Sequence, residues 1–296
     1  IRVPILFFLV MLASAGGLIA AQQGIRGAIT DTSAITERGF IFLKLFTSSG
    51  ESLPPLTFFL ALFIPIIGIA LGFDAINSER SGGTISRILA QPVYRDGVIN
   101  GKFLAGVATI TIMLVSIVLV VAGFGLNIVG VVPGIEEVWR LFVYLIISIF
   151  YISFWLGLSI LFSICFRSIA TSALASIALW IFLSFFVSLG ASVLANSIAP
   201  VEKREGADPE TVVANAQIKE GVSLISPMFI YSSATATIVD PMRKTTRSLV
   251  LMGPMEQISS SRFQNPLSLG QSLVVVYPHL VALIAISLIC FAVSYW

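Results

Sequence analysis

Six stretches of this chain carry no Asp, Glu, Lys or Arg: 3–25, 52–73, 103–135, 141–166, 168–201 and 263–296. Each can supply the roughly 20 apolar helical residues that cross a hydrocarbon core of about 30 Å. The chain has 296 residues, 57% hydrophobic and only 11% charged, whereas soluble domains run at roughly 25% charged. All 17 Lys+Arg and 15 Asp+Glu are confined to the segments between those stretches. Backbone polar groups in lipid must be satisfied within the spanning structure, which leaves helices or a closed barrel. A barrel would show strands of about ten residues with alternating polarity; VATITIMLVSIVLVVAGFGL is apolar on every side. The chain reads as an all-α polytopic membrane protein.

Six transmembrane helices are expected near 3–21, 56–73, 103–128, 141–165, 170–195 and 273–296, forming one transmembrane domain over 1–296. VPILFFLVMLASAGGLIAA is long for a signal peptide and reads as the first span. No initiator Met precedes it and the chain stops on Trp296 inside an apolar run, so it is expected to extend beyond both ends. An even number of spans puts both termini on one side. With cytoplasmic termini, the inner short loops hold Arg2, Arg80, Arg87, Arg95, Lys102 and Arg167, against Arg26, Arg38, Lys44 and Arg140 outside. That bias favours cytoplasmic termini in the plasma membrane. The segment 199–272 is then a long outer segment, too long for its own basic residues to weigh in the count.

Within it, 221–239 (GVSLISPMFIYSSATATIV) is uncharged but holds Pro227 and six Ser or Thr. It is too polar for a lipid-facing span and too apolar for open water. The expectation is a bent, Pro-broken element roofing the bundle on its outer side, one that tolerates Lys at Ala234; a seventh span is the alternative. The patch Phe40–Phe46 in the loop 22–55 is expected at an interface. Pro65 is placed to kink the second span, and Gly68 with Gly72 forms a GxxxG pair suited to close helix packing within one subunit.

The loop 72–103, GFDAINSERSGGTISRILAQPVYRDGVINGKF, is the most charged compact segment. Asp74 closes the apolar part of the second span, and Asn77, Ser78, Glu79 and Arg80 carry that helix into water. Gly82-Gly83 breaks it. Thr84 then caps a short helix in which Ile85, Ile88 and Leu89 share one face, and Pro92 ends it. Tyr94 to Asn100 leads to Gly101-Lys102 and the third span. Such a helix, held along the membrane surface, is either an interfacial anchor or a lever gripped by a partner.

This loop resembles that of the permease subunits of ABC-2-type transporters, within the branch that includes the nitrous-oxide-reductase maturation permease. The residues that carry the resemblance are the acidic Asp74, Glu79, Gly83-Thr84, Leu89, Pro92, Arg95 and Gly101-Lys102. The tail NPLSLGQSLVVVYPHLVALIAISLICFAVSYW is similar to the last span of that branch. The resemblance implies a half-transporter working as a dimer of permease copies, a homodimer or a pair of close homologues, on separate ABC ATPase subunits. ATP and magnesium would bind those ATPases, with no cofactor in this chain. It further implies that 74–102 is the coupling loop, with Asp74, Glu79, Arg80, Gly83, Thr84, Arg87, Leu89, Pro92, Arg95 and Lys102 at the ATPase contact. Membrane lipid and an outer accessory protein complete the expected partners.

Other chemistry finds little footing in the residues. Gly97-Val-Ile-Asn-Gly101-Lys102-Phe103 has three residues between glycines where a phosphate loop needs four, and Phe where Ser or Thr must hold magnesium. Glu136-Glu137-Val-Trp-Arg140 echoes one class of intramembrane protease, but His279 is the single histidine and Cys165 and Cys290 both sit in apolar runs. Those residues read instead as an acidic outer loop with an interfacial Trp139, and no metal site is expected. A net charge of +2 offers no reservoir for nucleic acid. No span has a charge near its middle, which disfavours a proton relay. Ser148, Ser153, Ser159 and Ser163, with the hydroxyls of the fifth span, serve either a transport path or helix packing. The remaining rival is a non-transporting anchor that passes ATPase force to an outer assembly.

Overall fold

The computed structural model describes Ala15, Ile19 and residues 40–47, 55–83, 95–129, 132–200, 209–246 and 265–294. The expected first span at 3–21 and the expected short helix at 84–92 lie outside them, apart from Ala15 and Ile19. The described residues are helical, with no strand among them. In chain order they form α1 (Ile41–Thr47), α2 (Leu56–Gly72), α3 (Asn77–Ser81), α4 (Arg95–Val129), α5 (Ile135–Cys165), α6 (Ile169–Ile198), α7 (Pro209–Ser223), α8 (Pro227–Val239) and α9 (Leu269–Val293). Taking α2 with α3 as one, five helices among the described residues are long and apolar enough to cross a membrane, or six if the bent pair α7–α8 is one span.

The chain divides into two compact units, Ile1–Ala178 with Leu283–Trp296, and Leu179–Ala282. In the first, α2 and α5 form the most extensive helix pair, and their sequences explain why. The GxxxG pair brings the backbones together. Built onto Gly68, a Cβ would lie 3.1 Å from the Ile152 carbonyl oxygen; on Gly72 it would lie 2.9 Å from the Leu156 oxygen. The small-residue face therefore packs inside one chain, as expected. Along α5 the buried residues Tyr144, Ser148, Tyr151, Trp155, Ser159 and Ser163 recur every three or four positions. Two of them bond across to α2: Tyr151 Oη donates to the Ala61 carbonyl at 3.1 Å and Ser159 Oγ to that of Ile69 at 3.0 Å. These hydroxyls serve packing. α2 runs through Pro65 as one helix.

α4 covers the same unit with one buried stripe, Ile110, Met113, Leu114, Ile117, Val118 and Val121, while Leu104, Ile112, Val115 and Leu119 are exposed apolar residues suited to lipid. The last turns of α9 lie beside its start: the Phe291 and Phe103 rings are 4.3 Å apart, and Ser287 Oγ donates to the Phe150 carbonyl at 3.1 Å. The C-terminal end of α9 is therefore at the same end of the unit as the start of α4.

Two expectations for the opposite end of α4 and α5 need correction. α5 begins at Ile135, so Glu136, Glu137, Trp139 and Arg140 belong to its first turns rather than to an acidic loop. Glu137 and Arg140 are buried, because their charges are consumed internally. Glu137 accepts from Gly134 N at 2.7 Å, and from Phe42 N and Leu43 N at 3.0 and 3.3 Å. Arg140 pairs with Glu136 at 2.9 Å and stands over the Phe40 ring at 5.2 Å. The apolar patch predicted at Phe40–Phe46 is thus the buried helix α1, pinned by Glu137.

In the second unit, α6 carries a π-helical turn at Phe182–Phe186. Its last part packs on α7, where Asn215 Nδ2 donates to the Ala199 carbonyl at 2.8 Å and to Asn196 Oδ1 at 3.0 Å. α7 and α8 meet at 108°. The break falls where Pro227 opens α8 and Ser226 Oγ accepts from Phe229 N at 3.4 Å. The predicted Pro-broken element is present. Its hydroxyls face protein rather than lipid: Ser233, Thr235 and Thr237 are buried, and Thr237 Oγ1 donates to the Ser272 carbonyl at 3.1 Å. Ala234 is 0% exposed, so a Lys there would not be tolerated as expected; it would overpack this interior.

Candidate functional site

The described residues among those marked out for coupling lie at the end of the first unit where α3 and α4 approach. α2 does not simply run on into water. Its ladder is interrupted at Phe73–Ile76, and α3 continues the element so that Leu56–Ser81 spans 26 residues. Asn77, expected in solvent, is 2% exposed. The reason is Ser163 on α5: its wholly buried Oγ accepts from the backbone N–H of both Ile76 and Asn77, each at 3.1 Å. The hydroxyl replaces two helix bonds and draws the start of α3 against α5.

α3 ends where the paired glycines predict. Gly82 N donates to the Ser78 carbonyl at 2.9 Å, and Gly83 takes the left-handed conformation, φ +66°, that a residue without Cβ adopts at little cost. Asp74 lies in the interrupted turn, half-buried, and its carbonyl accepts from Ser78 N at 2.9 Å. Arg80 is exposed on the short helix. α4 begins at Arg95, eight residues before the predicted span, so the charged stretch through Lys102 is helical and Gly97 and Gly101 do not break it. One ion pair ties the two elements: Lys102 Nζ to Glu79 Oε1 at 3.0 Å, each side chain a little under one-third exposed. Glu79 is therefore a partly buried staple rather than a hydrated charge.

The structure thus brings Glu79 and Lys102 together and keeps Asp74, Arg80 and Gly83 on the same arm. Thr84, Arg87, Leu89 and Pro92 lie outside the described residues, as does the side chain of Arg95. Sequence reasoning missed the part played by Ser163. The available signal was its spacing from Ser159, one helical turn along the face that receives Gly68 and Gly72.

What the arrangement can do is mechanical. Two long helices leave one end of the unit, joined by a short connection and stapled across their bases. One of them is locked by glycine packing onto a third.

Comparison with known proteins accords with this layout. The family described as ABC-2 family transporter protein matches residues 5–296. The probable ABC transporter permease protein NosY of Pseudomonas aeruginosa is 33% identical over 94 residues, 31% of this chain and 32% of that relative. The alignment therefore spans about a third of the curated relative it matches. That similarity fits the branch indicated by the loop 72–103 and the tail. With nearly its whole length inside the family match, this multi-pass membrane protein belongs to the ABC-2 transporter family.

Proposed function

We propose that this chain is the permease subunit of an ABC transporter, carrying a substrate across the plasma membrane with ATP hydrolysed on separate subunits. Two permease copies and two ATPases make the working assembly, with nucleotide and magnesium on the ATPases. The loop 74–102 is the coupling loop, on the cytoplasmic side, and α7–α8 lies on the outer side.

The Glu79–Lys102 ion pair carries this reading. A surface pair of this exposure contributes no more than about 1 kcal/mol to folding, so its value lies in geometry. It holds α3 and the start of α4, which flank the loop, at a fixed separation, so an ATPase that moves the loop acts on α4 directly and on α2 through α3.

The test is a charge exchange in the assembled complex. Glu79→Lys should reduce ATP turnover and copurification of the ATPase, whereas Glu79→Lys combined with Lys102→Glu should recover both. Unchanged copurification and turnover in the single variant would remove the pair from the coupling path.

A further inference from the structure

The interruption between α2 and α3 has a feature that neither packing nor the ion pair requires. In an unbroken helix Ile76 N would bond the Gly72 carbonyl and Asn77 N that of Phe73. Instead Ala75 N takes the Gly72 carbonyl at 3.1 Å, and Ser163 Oγ holds both Ile76 N and Asn77 N. On either side the helical pattern is regular: Phe73 N bonds Ile69 O at 3.0 Å, and Arg80 N bonds Ile76 O at 3.0 Å. The defect is confined to one turn. A side chain inserted into the backbone ladder is a recognised cause of a helix break.

We infer that Phe73–Ile76 is a two-state joint with Ser163 as its catch. Engaged, Ser163 holds the break seen here. Released, Ile76 N and Asn77 N return to the carbonyls one turn back, and α3 becomes a straight continuation of α2. The two arrangements differ mainly in which oxygen two N–H groups bond, so they lie close in free energy, as a switching element requires.

The side chain of Asn77 supports a second state. It is 2% exposed, yet among the described residues neither its Oδ1 nor its Nδ2 has a hydrogen-bond partner. An unsatisfied buried amide destabilises the arrangement that contains it. Asn77 directly follows the joint, so changing the joint turns it out of this buried site. The engaged state is thereby held near balance: Ser163 favours it and Asn77 opposes it. As the base of the arm bearing Glu79 and Gly83, the joint sets how far loading of the loop bends the arm before α2 moves. That role rests on the coupling reading above; the existence of two states does not.

Spin labels on the full chain in lipid nanodiscs test this without any ATPase. With Cys165→Ala and Cys290→Ala as background, labels at Ser81→Cys and Ser168→Cys report the distance from the arm to the end of α5. Adding Ser163→Ala should shift the main distance peak or add a second one. Ser153→Ala, which removes another hydroxyl of α5, one that donates to its own helix at 2.7 Å, should not. Asn77→Leu, which removes the unsatisfied amide at similar volume, should keep the parent peak and raise the melting temperature. An unchanged distribution in Ser163→Ala overturns the joint, as does a lowered melting temperature in Asn77→Leu. Should Ser163→Ala not fold, the Asn77→Leu result decides alone. Because these readouts need only this chain, they fail independently of the copurification test of coupling.

Discussion

Glu137 is a carboxylate 6% exposed in a chain with few charges, and its two oxygens receive three backbone N–H groups. It completes the start of its own helix and fixes α1, 94 or 95 residues away in sequence. Phe40, at the entry to α1, holds φ 67°, a conformation that costs a non-glycine residue about 1–2 kcal/mol; the Arg140 guanidinium over its ring offsets part of that. Hydrogen bonds to charged groups contribute about 1.5–3 kcal/mol each. Glu137→Ala should therefore destabilise the protein by about 3 kcal/mol or more, read as an earlier unfolding midpoint in detergent. Glu137→Gln should cost less, since one oxygen still accepts from Phe42 and Leu43. Equal midpoints for wild type and Glu137→Ala would mean that α1 is held by apolar contact alone.

Between elements, the α2–α5 seam has no room to spare. A Cβ at Gly72 would meet the Ser159 Cβ at 2.8 Å and the Leu156 carbonyl at 2.9 Å, and backbone cannot swing aside. Gly72→Ala should cost about 1–3 kcal/mol, while Gly101→Ala, with open space around it, should cost nothing measurable or stabilise α4 slightly. Comparing the two in one melting experiment separates seam packing from helix propensity.

The spans among the described residues were legible because lipid excludes charge, so charge-free runs mark them whatever their neighbours do. Their ends were less legible, because a charge is not a helix boundary. α5 starts ahead of Glu136 since those charges find partners inside the helix cap, and α4 starts at Arg95 since Lys102 finds Glu79. Ser163 was beyond reach for a different reason: its partners lie 86 and 87 residues away, and only the seam that Gly68 and Gly72 permit brings them to it. Likewise the Pro227 break was readable from local chemistry, but not that Ala234 sits inside protein.

For the whole molecule, the proposed orientation sets the loop 74–102 inside and the segment 199–272 outside. After removal of Cys165 and Cys290, Ser86→Cys should react with a membrane-impermeant thiol reagent only in opened cells, and Ala207→Cys should react in intact ones. The reverse pattern would invert the protein. Lys at Ser232, the exposed hydroxyl of α8, should leave expression unchanged where Lys at Ala234 abolishes it; equal expression of the two would place α8 in a looser setting than its burial indicates. The central claim is that an ATPase grips the loop between α3 and α4, and proximity tests it most directly. A photo-crosslinking amino acid in place of Arg87 should capture, in cells, a protein carrying an ATP-binding phosphate loop. The same group in place of Trp139, 58% exposed at the other end of α5, should not. Capture of the ATPase from position 139, or none from 87 in an intact complex, would contradict the account.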